Sequence, residues 1–217
     1  MIALSPAVLL RAYAAGIFPM AESADDPDLF WVDPERRGVL PLDRFHLPRR
    51  LSRTLRNAGL VSECNRDFTA VVRACAEATR ERPKTWINDE IVQIYSALHR
   101  QGFAHSVEVL HEGEVVGGLY GVAIGAAFFG ESMFNRVSDA SKVALAHLVA
   151  RLRIGGYALL DTQFLTSHLA RFGAVEISRA AYRRRLAGAL GGRAYFPVEP
   201  LDGAAVSAVL QSSTLTS

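Results

Sequence analysis

Hydrophobic positions along the chain change period several times, and those changes predict its elements. Ser5-Pro6 supplies an N-cap and a first-turn proline for a helix that Gly16 closes. Leu47 to Asn57 reads as a helix ending at Gly59. Asp67 to Arg80 reads as another, with Phe68, Val71, Val72 and Cys75 at three-to-four spacing. Asn88 caps a helix through Gln101, whose apolar face is Ile91, Ile94, Tyr95 and Leu98. The pattern then becomes strand-like in Ser106–Leu110 and Val115–Tyr120, joined by a hairpin turn at His111–Glu114, and again in Ala126–Phe129. Ser138 is expected to cap a helix over Asp139–Ile154, which Gly155-Gly156 stop. A short strand at Tyr157–Leu160, a helix near Ser167, a strand near Val175–Ile177 and a helix from Arg179 follow, and Ser207–Ser217 reads as a loose polar tail. The order predicts a mixed α/β (α+β) fold, its sheet built largely from hairpins and flanked by helices. Ala21–Pro34 is acidic and proline-bearing, which places a boundary near Glu35: a small N-terminal domain over 1–35 and a larger one over 36–217.

Composition narrows the class. The 217 residues are 50% hydrophobic and carry 24 basic against 22 acidic side chains, a net charge of +2, which excludes a disordered chain. Taken as a total, +2 argues against a nucleic-acid partner. Its distribution argues the other way. Arg36, Arg37, Arg44, Arg49, Arg50, Arg53 and Arg56 fall in one short stretch with Asp43 as the only acid, and Arg49, Arg53 and Arg56 share a helix face. Five more arginines lie between Arg179 and Arg193 with no acid. The plain reading is a solvated basic face; the alternative is a grip on an acidic polymer. Cys64 and Cys75 are too few for a disulfide framework and read as reduced thiols of a cytoplasmic protein. No signal peptide is evident, and the uncharged stretch from Val115 to Gly130 is glycine-broken and shorter than the roughly 20 residues a membrane helix needs, so no membrane partner is expected.

Candidate chemistry gathers at three places. Glu131, in Gly130-Glu131-Ser132-Met133-Phe134, follows a long apolar strand; it either reaches solvent at the strand end or has a partner or task. Asp161-Thr162-Gln163 ends a buried strand, where ligand sites collect; the alternative is an Asx-type turn. Trp86 precedes a helix and either stacks on a ring or belongs to the core. The six histidines show no zinc spacing, and neither a phosphate-binding P-loop nor a GxSxG elbow is present, so no metal is expected.

The ordered segments YAAGIFP (Tyr13–Pro19), RGVLPLD (Arg37–Asp43), TWI (Thr85–Ile87), GFAHSVE (Gly102–Glu108), VGGLYGV (Val116–Val122), GESMF (Gly130–Phe134), ASK (Ala140–Lys142) and LDTQ (Leu160–Gln163) together resemble the leucyl/phenylalanyl-tRNA–protein transferases, over Leu9 to about Leu186. Departures are Met20 where tryptophan is common, Asn135 where serine is usual, Thr162 where cysteine is common, and only Leu4-Ser5-Pro6 in place of a GGDLS-like segment. The resemblance implies a small N-terminal domain before a GNAT-like (acyl-CoA N-acyltransferase-like) domain. It implies transfer of Leu, Phe or Met from aminoacyl-tRNA to proteins with N-terminal Arg or Lys, marking them for N-end rule degradation, with no cofactor.

Under that reading Asp161 and Gln163, two apart on an extended strand, hold and polarise the attacking amine, and Glu131 orients the amine or the acceptor's cationic end. Trp86 packs on the terminal adenosine or the donor, with Ser132 beside the site. Leu119, Phe128, Met133, Leu145, Leu148 and Leu160 make an apolar donor pocket, and Arg36, Arg37, Arg49, Arg50, Arg53 and Arg56 bind tRNA phosphates. An acyl-CoA-dependent N-acetyltransferase would share the fold, yet the chain lacks an R/Q-x-x-G-x-G/A pyrophosphate loop. A non-catalytic RNA-binding module would need only the arginines.

Overall fold

A computed structural model describes residues 4–21, 23, 29–78 and 85–212. A seven-stranded sheet in the order β4-β5-β6-β7-β8-β3-β9 forms the middle layer. Its strands are β3 (Arg36–Val39), β4 (Leu60–Cys64), β5 (Ala104–His111), β6 (Glu114–Ile124), β7 (Ala127–Asn135), β8 (Leu159–Gln163) and β9 (Val175–Ser178). A separate antiparallel pair, β1 (Phe18–Met20) and β2 (Phe30–Val32), precedes it. Residues 22, 24–28 and 79–84 lie outside the described set, as does part of the acidic loop and Arg80 of the helix expected there.

The helices divide between the two faces. α1 (Pro6–Ala14), α3 (Phe68–Ala76), α4 (Asp89–Arg100) and α7 (Arg179–Leu190) bury Leu9, Val72, Ile91 and Leu186 in one core. α2 (Arg49–Asn57), α5 (Ala140–Ile154) and α8 (Gly203–Gln211) bury Leu55, Leu148 and Val206 in the other. The four-residue α6 (Ser167–Ala170) links β8 to β9. Expected caps are present: the Ser5 hydroxyl accepts from the Val8 amide, and the Asn88 side chain accepts from Ile91, with Asp89 and Glu90 completing a first turn that favours negative charge. The β5–β6 hairpin turns through Glu112 and Gly113, both at positive φ (50° and 85°), the signature of a tight two-residue turn.

Two expectations need correction. Ser138 does not cap α5. That position belongs to Asp139, which sits at φ 68° and spends its carboxylate on Lys142 and Arg50 instead of on the helix. The segment after Ser207 is not all loose tail: α8 runs to Gln211, capped by Asp202, and Val206 and Leu210 place one apolar row against the second core. Residues 213–217 lie outside the described set.

Three features of the sheet shape the site. All pairs are antiparallel except β7–β8, which runs parallel, with α5 as its crossover. Parallel pairing holds from Ala127↔Leu159 to Phe129↔Asp161. Both strands continue past that point, so they diverge there and open the sheet. Just beyond it β7 bulges: Gly130 pairs with Gly121 and Ser132 with Tyr120, leaving Glu131 as the extra residue. Gly121 tolerates the bulge because it has no Cβ, which would run into the Phe129 carbonyl and the Phe128 ring.

Candidate active site

Glu131 follows Phe129 by two residues and shares its face, the α1/α4 side, where Tyr95 Oη donates to its Oε2 at 2.9 Å. The bulge re-sets the strand after it, so that Met133 turns to the α5 side and Phe134 to the α1/α4 side. Tyr13 Oη lies 2.5 Å from Tyr95 Oη, which extends the chain of hydroxyls into the core. Gln163 Nε2 donates to Glu131 Oε1 at 3.0 Å. That side-chain bond bridges β7 and β8 where their backbone pairing has ended. Glu131 is thus part of the interior of β7, not a strand end reaching solvent, and it keeps partial exposure.

Burial raises the Glu131 carboxyl to about 7. The Tyr13 and Tyr95 hydroxyls pull against that rise, the Asp161 charge adds to it, and the Arg37 charge opposes it. A carboxyl poised near neutrality beside a donor amide suits proton transfer at cellular pH. It also sets a sign for stability. The folded state holds this proton up to about 7, whereas an unfolded glutamate loses it near 4.5, so the native state binds more protons across that window. Stability therefore falls as pH rises from about 4.5 to about 7 and levels off above it. Glu131→Gln should remove that slope in urea titrations at a series of pH values; an unchanged slope would assign it to another group.

Asp161 is fully buried, and its two oxygens are occupied. Arg37 donates to it from Nε at 2.9 Å and from Nη2 at 2.7 Å, Tyr182 Oη donates at 2.6 Å, and the Gln163 amide donates at 2.8 Å. A carboxylate has about four lone-pair sites, and four donors fill them. The Asx-type turn is present: the Asp161 carboxylate accepts from the backbone amide two residues on. The geometry leaves Asp161 no direction in which to hold an incoming amine.

Arg37 is the clearest correction. It was expected to bind tRNA phosphates with its neighbours, but it is 1% exposed and pairs with Asp161. Strand alternation separates it from Arg36, which faces solvent and meets Glu176 at the sheet edge. The arginine stretch also divides in space. Arg36 lies on β3, while Arg49, Arg50, Arg53 and Arg56 are exposed on α2, which packs near β4 at the far side of the sheet.

Leu119, Phe128, Met133, Leu145, Leu148 and Leu160 do come together, but on the α5 face, opposite the carboxylates. Trp86 is half-buried and packs against the other core at the start of α4; Ser132 is half-buried beside Glu131. Tyr13, Tyr95 and Tyr182 carry no local mark of a site in the sequence; Tyr95 falls on the apolar face of α4. A core-facing tyrosine must still satisfy its hydroxyl, and that was the available signal. Among the described residues, no group of three His, Cys, Asp or Glu could hold a metal ion, and no helix is long and apolar enough to cross a membrane.

A mixed sheet that splays around an acid–amide pair between β7 and β8 has the GNAT-like fold, the class of architecture to which this chain belongs. Likeness to solved structures supports the fold alone, with FemX matched at a TM-score of 0.53, 11% identity, and coverage of 79% of this chain and 66% of that one. The chain belongs to the leucyl/phenylalanyl-tRNA protein transferase family. The family's N-terminal domain model matches residues 3–35 and its main model residues 39–187. Relatives named leucyl/phenylalanyl-tRNA–protein transferase include one from Paramagnetospirillum magneticum, 62% identical over 87% of this chain and 90% of its own. Another, from Cereibacter sphaeroides, is 56% identical over 99% of this chain and 98% of its own.

Proposed function

We propose that this protein moves Leu, Phe or Met from charged tRNA to the N-terminal amine of proteins beginning with Arg or Lys, in the cytoplasm, and so marks them for N-end rule degradation. The observation that carries the mechanism is the Gln163–Glu131 bond across the strand opening, with Glu131 poised at about 7.

The reaction is aminolysis of an ester. An α-amine has a pKa of about 7.7–8.0, so neither a strong base nor a covalent nucleophile is required. What is required is orientation, a proton acceptor and charge stabilisation. Gln163 spends its amide N–H on Glu131 and turns its carbonyl oxygen to the amine. The amine nitrogen bonds to the ester carbonyl carbon, and the bond from that carbon to the ribose oxygen breaks. Glu131 takes the proton the amine sheds and returns it to the leaving ribose hydroxyl. Leu119, Phe128, Leu145, Leu148 and Leu160 are packed core, at most 3% exposed, on the face away from Glu131, so they do not line the donor site. An apolar donor site discriminates one methylene by only about 1–3 kcal/mol, which is compatible with several apolar donors. Trp86 packs on the terminal adenosine or the donor, and Ser132 lies beside Glu131.

Arg36, Arg49, Arg50, Arg53 and Arg56 supply exposed cations for tRNA phosphates. A second basic surface adds to them, a cleft of about 590 Å³ lined in part by Arg44, Arg184 and Arg185. Removing Arg49 and Arg53 together should weaken Leu-tRNA and Phe-tRNA binding alike and lower the salt slope of log K by about 1 to 2. Filter binding across a salt series checks this, and an unchanged slope would take α2 out of the interface.

The deciding experiment supplies labelled Leu-tRNA with a peptide beginning with Arg, Lys or Ala, and in parallel labelled acetyl-CoA. Label moves from tRNA to the Arg and Lys peptides. Label from acetyl-CoA alone, or on no peptide, overturns the reading.

A further inference from the structure

Gln163 has a backbone conformation its side chain does not favour. Its φ is +54°, and the Phe164 amide reaches back to the Thr162 carbonyl at 2.6 Å, a three-residue turn centred on Gln163. A non-glycine residue at positive φ in such a turn persists only where its surroundings over-determine it, and such residues gather at functional sites.

Those surroundings can be named. The Asp161 carboxylate accepts the Gln163 amide and fixes its start. Arg37 and Tyr182 hold that carboxylate. Arg37 is itself fixed on three further sides. Its Nη1 donates to the Gly16 carbonyl at 3.0 Å, and its guanidinium lies 4.5 Å from the ring centroids of both Phe18 and Tyr182. The next residue, Gly38, pairs with Gln163 across β3–β8. A Cβ on Gly38 would sit 2.5 Å from the Phe164 carbonyl carbon and 2.8 Å from the Leu165 nitrogen, so the exit of the turn lies against β3 only because that Cβ is missing.

We infer that Arg37, Gly38, Asp161 and Tyr182 are positioning residues, a frame that holds Gln163 in its strained turn and aims its amide at Glu131 and the acceptor amine. None of the four touches a reacting atom; each acts through Gln163. Arg37 and Gly38 supply the frame from β3, Asp161 transmits it within β8, and Tyr182 closes it from α7. The inference rests on the reading above, in which Gln163 orients the amine.

A double-mutant cycle tests it. Gly38→Ala and Tyr182→Phe are each measured in the native chain and in a Gln163→Ala background, with kcat and KM for Leu-tRNA and for an Arg-peptide. Tyr182→Phe removes one oxygen and keeps the ring, so it serves even if Gly38→Ala folds poorly, which thermal unfolding reports. A displacement near 1 Å can cost up to about 100-fold, so each variant should lower kcat by about 10- to 100-fold with the KM for Leu-tRNA unchanged. In the Gln163→Ala background the same changes should have almost no effect, because the group they aim is gone. An equal loss in both backgrounds, or no loss in the native one, overturns the frame. Failure of the functional reading looks different: the native chain transfers nothing, or Gln163→Ala by itself costs nothing.

Discussion

Glu131→Gln should lower kcat/KM for transfer by about 10²- to 10⁴-fold, the usual worth of a positioned general base. The side chain keeps its length, its amide oxygen can still accept from Tyr95, and the bulge at Gly130–Ser132 is untouched. Its NH2 group then faces Gln163 Nε2, so the loss combines the proton acceptor with the acceptor of the Gln163 amide. The KM for Leu-tRNA should stay level, because a group used only as the proton moves contributes to the transition state and not to ground-state binding. Steady-state kinetics with each substrate varied in turn separates the two. A variant with native kcat and a raised peptide KM would make Glu131 an acceptor-binding residue and leave proton transfer to water.

Arg37→Met should destabilise the fold by about 3–5 kcal/mol, the cost of breaking one side of a buried ion pair. Asp161 is fully buried and cannot recruit solvent when its guanidinium partner is removed. The Gly16 carbonyl loses its donor as well, so the link from the sheet to the end of α1 weakens too. For a chain of this size each kcal/mol moves Tm by about 2–4 °C, so a fall of about 6–20 °C is expected by calorimetry. Combining Arg37→Met with Asp161→Asn should recover part of the loss, since the stranded charge is gone. A loss under about 1 kcal/mol would mean that the pair is not buried in solution.

The helices were readable because their signals are local. Ser5 and Asn88 bond amides three residues away, and Gly113 admits the positive φ that the tight hairpin turn needs. The extended alternation expected for Asp161 and Gln163 does not hold: Gln163 sits at φ +54°, past a register shift against β3, and its turn sets where the side chain goes. Three further things were not readable. The β7 bulge has no signature in Gly130-Glu131 alone; it depends on Gly121 across the strand pair, and the apolar pattern breaks at Gly130 before the strand ends. The fate of Arg37 depends on Asp161, 124 residues away, and no local count of arginines could separate it from Arg36. The serines near the C-terminus outweighed Val206 and Leu210, whose four-residue spacing is the whole evidence for α8 until α2 and α5 are seen beside it. Each miss traces to contacts between distant parts of the chain.

The division of charge has the same lesson. A net +2 says little about partners, since the total averages exposed arginines on α2 and α7 with acids held in the core. In the proposed mechanism Asp161 is saturated by its four donors and shapes the backbone, whereas Glu131, with Tyr95 on one oxygen and Gln163 on the other, keeps partial exposure and takes the proton.

The most direct test of that assignment is the pH dependence of kcat/KM for an Arg-peptide, measured in the native chain and in Glu131→Gln. The native profile should rise on two limbs, one near 7 from Glu131 and one at about 7.7–8.0 from the acceptor amine. The variant should keep only the amine limb, at a rate lower by the factor given above. A variant that retains the limb near 7 would contradict the account and place the proton acceptor on another group.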